Sequence, residues 1–162
     1  MEWHPLQNIV DFQYGNYEVD RFVPFAHTGG GDNWSWDPNR QGKFGVAVVD
    51  LPHDSETGRV YAPNFIGALY RHALEFANYC YEEEESRRWL ALWCRCFTPY
   101  FPKKWIEKLQ NAQAAPYVSR RQDAGCLLDD KTLREILLTD LELPEIDVEF
   151  VWHKPRRYDT TS

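Results

Sequence analysis

The spacing of apolar residues changes rhythm once along the chain, at about Ala62. Before it, apolar and polar residues tend to alternate. From Tyr17 to Phe25 the alternation is imperfect (Tyr17, Val19, then Phe22-Val23-Pro24-Phe25), which predicts a strand ending at Pro24. Asn33 to Asp37 predicts a short strand with Trp34 and Trp36 on one face, and Phe44 to Val49 is an apolar, β-branched run. Beyond the turn-rich stretch His53 to Gly58, Arg59-Val60-Tyr61 predicts one more strand, so the first part of the chain reads as a meander.

After Ala62 the repeat is helical. Phe65, Leu69, Ala73, Phe76 and Cys80 recur every three or four residues behind the start signals Pro63 and Asn64. Glu83/Arg87 and Glu84/Arg88 are favourable i,i+4 pairs, and Trp89, Leu90, Trp93 and Phe97 resume an apolar stripe. One helix from Asn64 to Phe97 would run about 50 Å, longer than a compact domain of this size allows, so a break is expected between the two stripes. A short helix follows Pro99 and Pro102 over Lys103 to Gln113, and Asp129 or Asp130 caps another through Leu133 and Leu137 that Pro144 stops. Ile146 to Trp152 alternates again as a last strand, and the polar residues 153–162 are expected to fray. The order strands, helices, strand predicts a single α+β domain over 1–162, with an antiparallel or mixed sheet and helices packed on one side.

Charge narrows the partners. With 18 Lys and Arg against 25 Asp and Glu, the net charge is −7, which repels a phosphate backbone and attracts basic macromolecules. A basic protein fits as a partner; nucleic acid does not. Cys80, Cys94, Cys96 and Cys126 make no CxxC pair, and the start MEWHPLQNIVD lacks the regions of a signal peptide, which together point to free thiols in a reducing cytosol. No apolar stretch approaches the roughly 18 residues of a membrane span.

Gly29-Gly30-Gly31-Asp32 raises the question of phosphate binding. A phosphate loop needs a helix behind it and usually a lysine; here a strand follows, and no Lys lies within ten residues. A turn with φ > 0 at one or more glycines explains the triplet, with Asp32 bonding nearby N–H groups. His27, Asp32, His53 and Asp54 would form a metal or acid/base site only if the two loops met in space, and no HExxH or His/Cys ligand pair supports one. No catalytic residue, cofactor or metal is therefore expected. The pattern around Cys94-x-Cys96 places buried thiols in a core. Trp89 and Trp93 also read as core, as do Trp34 and Trp36 by default. Glu82, Glu83, Glu84 and Glu85, preceded by Tyr79 and Tyr81, read either as a solvated helix end or as half of a surface for a basic partner, with the exposed part of the Trp34, Trp36 and Asp37 strand as a second candidate contact.

The stretch "FVPFAHTGGGDNWSWDP", followed by "FGVAVVD", a turn and "APNFIGALYRHAL", resembles the SUKH superfamily. That superfamily includes the Smi/Knr-type cell-wall regulators of yeast, Syd, and many bacterial immunity proteins. Its pattern is matched by Pro24-Phe25-Ala26, Gly29 to Asp32, Trp34-Ser35-Trp36-Asp37 and Phe65, and the match is clearest over residues 17–76. The chain is similar to a divergent or N-terminally reduced member with a helical extension over 82–143. The resemblance implies an α+β fold in which the glycine loop is a fold-defining turn, and a protein that acts by binding.

The expected function is that of a non-catalytic bacterial immunity protein in the cytoplasm, neutralising a cognate toxin, for example a basic nuclease, by direct contact. Two alternatives stand beside it: a regulatory or scaffold interaction module, and a metal-dependent hydrolase using His27, Asp32 and His53.

Overall fold

A computed structural model describes residues 2–4, 21–42, 44–80, 82–120 and 124–152. In chain order its elements are β1 (Glu2–Trp3), β2 (Val23–His27), β3 (Asn33–Gly42), β4 (Gly45–Leu51), β5 (Thr57–Ala62), α1 (Phe65–Asn78), α2 (Glu83–Phe97), α3 (Lys103–Ala114), β6 (Val118–Ser119), β7 (Gly125–Cys126), α4 (Asp130–Asp140) and β8 (Glu149–Val151). Six strands form one antiparallel sheet in the order β1-β2-β3-β4-β5-β8, and β6 and β7 form a separate ribbon. The fold is α+β. Among the described residues no helix is long and apolar enough to cross a membrane.

The chain packs as two compact units, residues 1–65 with 145–162, and residues 66–144. The first holds the sheet. Its strands β2 to β5 are the expected meander, but β2 does not end at Pro24. It runs to His27, and its pairing with β3 becomes irregular between Pro24 and Ala26, which accommodates a ring that has no N–H to give the ladder. Strand β3 likewise continues past Pro38, with its register shifted between Asp37 and Gln41. The residues before Arg21 in the expected first strand, and the tail 153–162, lie outside the described residues.

Alternation gives the sheet two apolar faces. On one, Phe22, Val49, Leu51 and Trp152 are buried together, with Phe150 against them. On the other, Trp36 lies 4.5 Å from Phe25 between ring centroids, and Phe65 meets Phe25 edge-on at 5.4 Å. Phe65 is thus both the first residue of α1 and part of the sheet's aromatic cluster.

The second unit is helical. Residues Tyr79 to Glu82 separate α1 from α2, the break that length demanded. Tyr70 of α1 stacks on Trp105 of α3 at 4.2 Å and donates its hydroxyl to Asp140 of α4 at 2.9 Å. Lys108 adds a second bond to that buried carboxylate at 2.8 Å, so one acid ties three helices. Burial, and then the nearby Asp140 charge, pushes the Tyr70 hydroxyl far above its usual range, so it remains a donor. Asp129 caps α4 by accepting the Thr132 N–H at 2.9 Å. Cys80, Cys94 and Cys126 are buried, but Cys96, expected in the core with Cys94, is exposed, because two residues on a helix turn it about 200° away from the buried Cys94; all four are free thiols.

Candidate functional site

The β2–β3 connection, Thr28 to Asp32, is closed by its own backbone. Thr28 N–H donates to the Asp32 carbonyl at 2.9 Å, and Gly31 N–H donates to the Thr28 carbonyl at 3.0 Å. Gly31 has φ of +96°, in the region that penalises a Cβ, and a side-chain carbon there would lie 3.5 Å from the His53 ring. Of the triplet, this is the glycine the turn requires. Gly29 has open space where a side chain would go.

Asp32 does more than finish the turn. Its Oδ2 accepts from the Thr28 hydroxyl at 3.2 Å, while Oδ1 accepts the His53 backbone N–H at 3.1 Å and lies 2.9 Å from His53 Nδ1. The sheet makes this meeting possible, because Asn33 pairs with Leu51 and the β2–β3 and β4–β5 turns therefore leave the same end side by side. The bond from the His53 side chain is the largest of the influences that hold the Asp32 carboxyl below its usual range, so it is a committed carboxylate. With Asp54 the group becomes three: ligand atoms of Asp32, His53 and Asp54 lie within 4.8 Å of one another. His27 stands apart from this group. Its Nδ1 lies 3.0 Å from the Thr28 carbonyl, its Nε2 is 3.5 Å from Glu2, and its ring is tilted on His4 at 5.1 Å.

The strand residues considered for partner contact are turned inward. Trp34 is 6% exposed and packs on Tyr61 at 4.5 Å, and Asp37 is 0% exposed. Asp37 accepts two bonds from Arg21, Nε to Oδ1 at 3.1 Å and Nη2 to Oδ2 at 2.5 Å, and one from the Asn39 N–H at 3.1 Å. Arg40 Nε approaches the same carboxylate at 3.2 Å. Trp36 is half-buried in the aromatic cluster.

The start of α2 faces out. Glu82, Glu83, Glu84 and Glu85 are all exposed, as is Tyr79; Tyr81 lies outside the described residues. Glu83 pairs with Arg87 at 2.7 Å, and Arg87 donates on to the carbonyls of Gln113 and Ala115, tying α2 to the end of α3. Behind the acids, the buried line of α2 is Ser86, Leu90 and Cys94. Trp93 is half-buried and stacks on Phe97 at 4.6 Å. Trp89, expected in the core, is 44% exposed. The reason is width: apolar side chains from Leu92 round to Cys94 cover more of the helix circumference than one packed face takes up.

No family model matches the chain, and no curated protein or solved structure matches it.

Proposed function

We propose that the chain is a non-catalytic binding protein of the SUKH type, an immunity protein that neutralises a cognate basic toxin in the bacterial cytoplasm by covering its working surface. One observation carries the reading: four consecutive carboxylates, Glu82 to Glu85, stand exposed beside the exposed Tyr79. Among the described residues only Glu83 of the four is held in an ion pair, so the row costs little to redirect toward a partner. On a chain of net charge −7 such a row steers a basic protein in, and a neighbouring aromatic ring supplies the apolar anchor that holds it. The Gly31-Asp32 turn also supports it, because a loop that spends its donors and acceptors on itself and on the adjoining His53 turn acts as scaffold. The test is co-expression with the toxin encoded beside this gene: cells survive, and the two proteins co-purify as a stoichiometric complex. Death of the cells with the protein folded and abundant favours a regulatory or scaffold module instead.

A metal-dependent hydrolase has one observation in its favour, the clustering of Asp32, His53 and Asp54 within 4.8 Å. It loses His27, and Asp32 Oδ1 already serves two donors of His53. Stoichiometric zinc or manganese in purified protein, with turnover abolished by His53→Ala, would establish that reading over the first.

A further inference from the structure

An open groove of about 680 Å³ runs along α2; among the described residues it is floored by Trp89, Ala91 and Leu92 and edged by Glu85, Arg88 and Arg95. Two features of it bear on binding. The first is the exposed indole, whose N–H donates to Glu85 Oε1 at 3.4 Å. The second is charge. Among the described residues every Lys and Arg except Arg88, Arg95 and Arg134 lies within 4.0 Å of a carboxylate. Two of the three exceptions edge the same groove.

Arg88 and Arg95 are seven residues apart on one helix, which separates them by about 10 Å along its axis, or two turns. Trp89 and Leu92 lie in that interval. We propose that this groove docks an acidic, apolar segment of a partner protein: carboxylates two turns apart engage the two guanidinium groups, and leucine or aromatic side chains between them cover Trp89 and Leu92. Guanidinium forks take carboxylates bidentately and are the weakly hydrated cations that interfaces favour. An exposed tryptophan flanked by arginines has the composition of a binding hot spot. A basic segment is repelled by the same pair. The guanidinium pair is thus opposite in sign to the Glu82–Glu85 row, which meets the groove only at Glu85, where that carboxylate accepts the Trp89 indole N–H; a partner held by the pair does not depend on the toxin-binding reading.

The experiment pans a phage-displayed random peptide library on the immobilised full chain, with the Arg88→Glu/Arg95→Glu variant as counter-selection and circular dichroism to establish that the variant is folded. Enriched peptides combining Asp or Glu with Leu, Phe or Trp are expected. A synthetic, fluorescein-labelled copy of the leading peptide should bind the native chain saturably, bind the double variant at least tenfold more weakly, lose affinity on Trp89→Ala, and bind Arg134→Glu as it binds the native chain. No enrichment, enrichment of basic or uncharged peptides, or equal binding to the double variant overturns the proposal. So does a native dimer in sedimentation that Arg95→Glu dissociates without any peptide binding, which would assign the groove to a second copy.

Discussion

Asp32 Oδ1 lies 2.9 Å from His53 Nδ1 and 3.1 Å from the His53 backbone nitrogen, so a single carboxylate oxygen joins two hairpin turns that are 21 residues apart in sequence. The other oxygen closes its own turn through Thr28. Asp32 is therefore the residue through which the glycine loop and the β4–β5 turn act as one end of the sheet.

The Asp32 carboxyl is held below its usual range chiefly by the His53 side chain, and a lowered acid stabilises the folded state only while it is ionised. The contribution is complete at neutral pH, declines once the pH falls below about 3.9, the ordinary carboxylate value, and is gone below the lowered folded value. Asp32→Asn should cost about 1 kcal/mol at pH 7, a modest figure because the site is partly exposed. Urea denaturation of both proteins from pH 7 to pH 3 checks it: the gap between the two curves should close toward the acid end, and a gap that widens there would reverse the sign.

Gly31 and Gly29 make a matched pair for testing the turn. At φ of +96° a side chain on Gly31 is strained, and Gly31→Val should destabilise by roughly 1–3 kcal/mol. A side-chain carbon added at Gly29 would meet no atom within 4 Å, and the backbone there has no positive φ, so Gly29→Ala should leave stability within about 0.5 kcal/mol of native. Equal losses at the two positions would mean that the loop is read by something other than backbone geometry.

Asp37 separates stability from recognition. Its carboxylate is fully buried between Arg21 and Arg40, and Asp37→Ala should cost about 3 kcal/mol, at the low end for a broken buried pair because both arginines keep some access to water. Thermal or chemical denaturation measures that loss. Partner affinity of the protein that remains folded should be unchanged, since no part of Asp37 reaches the surface.

Local pattern carried the elements further than it carried their meeting points. The period of two at Trp34 and Trp36, the shift of rhythm before Phe65 and the length limit on one helix from Asn64 to Phe97 are all properties of a few consecutive residues, and β3, the start of α1 and the break before α2 follow them. Strand β1 is two residues long and exists through its pairing with Ala26 and His27, so no pattern of its own announces it. The Asp32–His53 contact depends on the register that sets Asn33 opposite Leu51, which is a property of the assembled sheet. Asp37 carried no local sign of burial either: an aspartate on a strand reads as exposed until the guanidinium groups of Arg21 and Arg40 are placed around it. Trp89 failed in the opposite direction. Apolar recurrence located the helix, but which third of an over-wide apolar arc packs inward is decided by neighbours, here in favour of Ser86, Leu90 and Cys94.

The start of α2 makes the proposed capture of a basic toxin measurable in its two kinetic parts. Long-range attraction between the exposed Glu83, Glu84 and Glu85 and a basic surface acts before contact, so it governs how often encounters succeed and is screened over a Debye length of about 8 Å at physiological salt. Changing the three to Gln should lower the association rate constant several-fold and flatten its dependence on salt, with little change in dissociation. Fold stability should move by no more than about 0.5 kcal/mol, because the ion pair lost, Glu83 to Arg87, is an exposed i,i+4 pair and Arg87 keeps its bonds to α3. Tyr79, 51% exposed, acts only after contact, through the area it buries. Tyr79→Ala should therefore raise the dissociation rate and cost on the order of 2 kcal/mol of affinity while leaving association nearly untouched. Surface plasmon resonance at two salt concentrations separates the effects. If the Gln variants change dissociation alone, or Tyr79→Ala changes nothing, the toxin is held somewhere other than this end of α2.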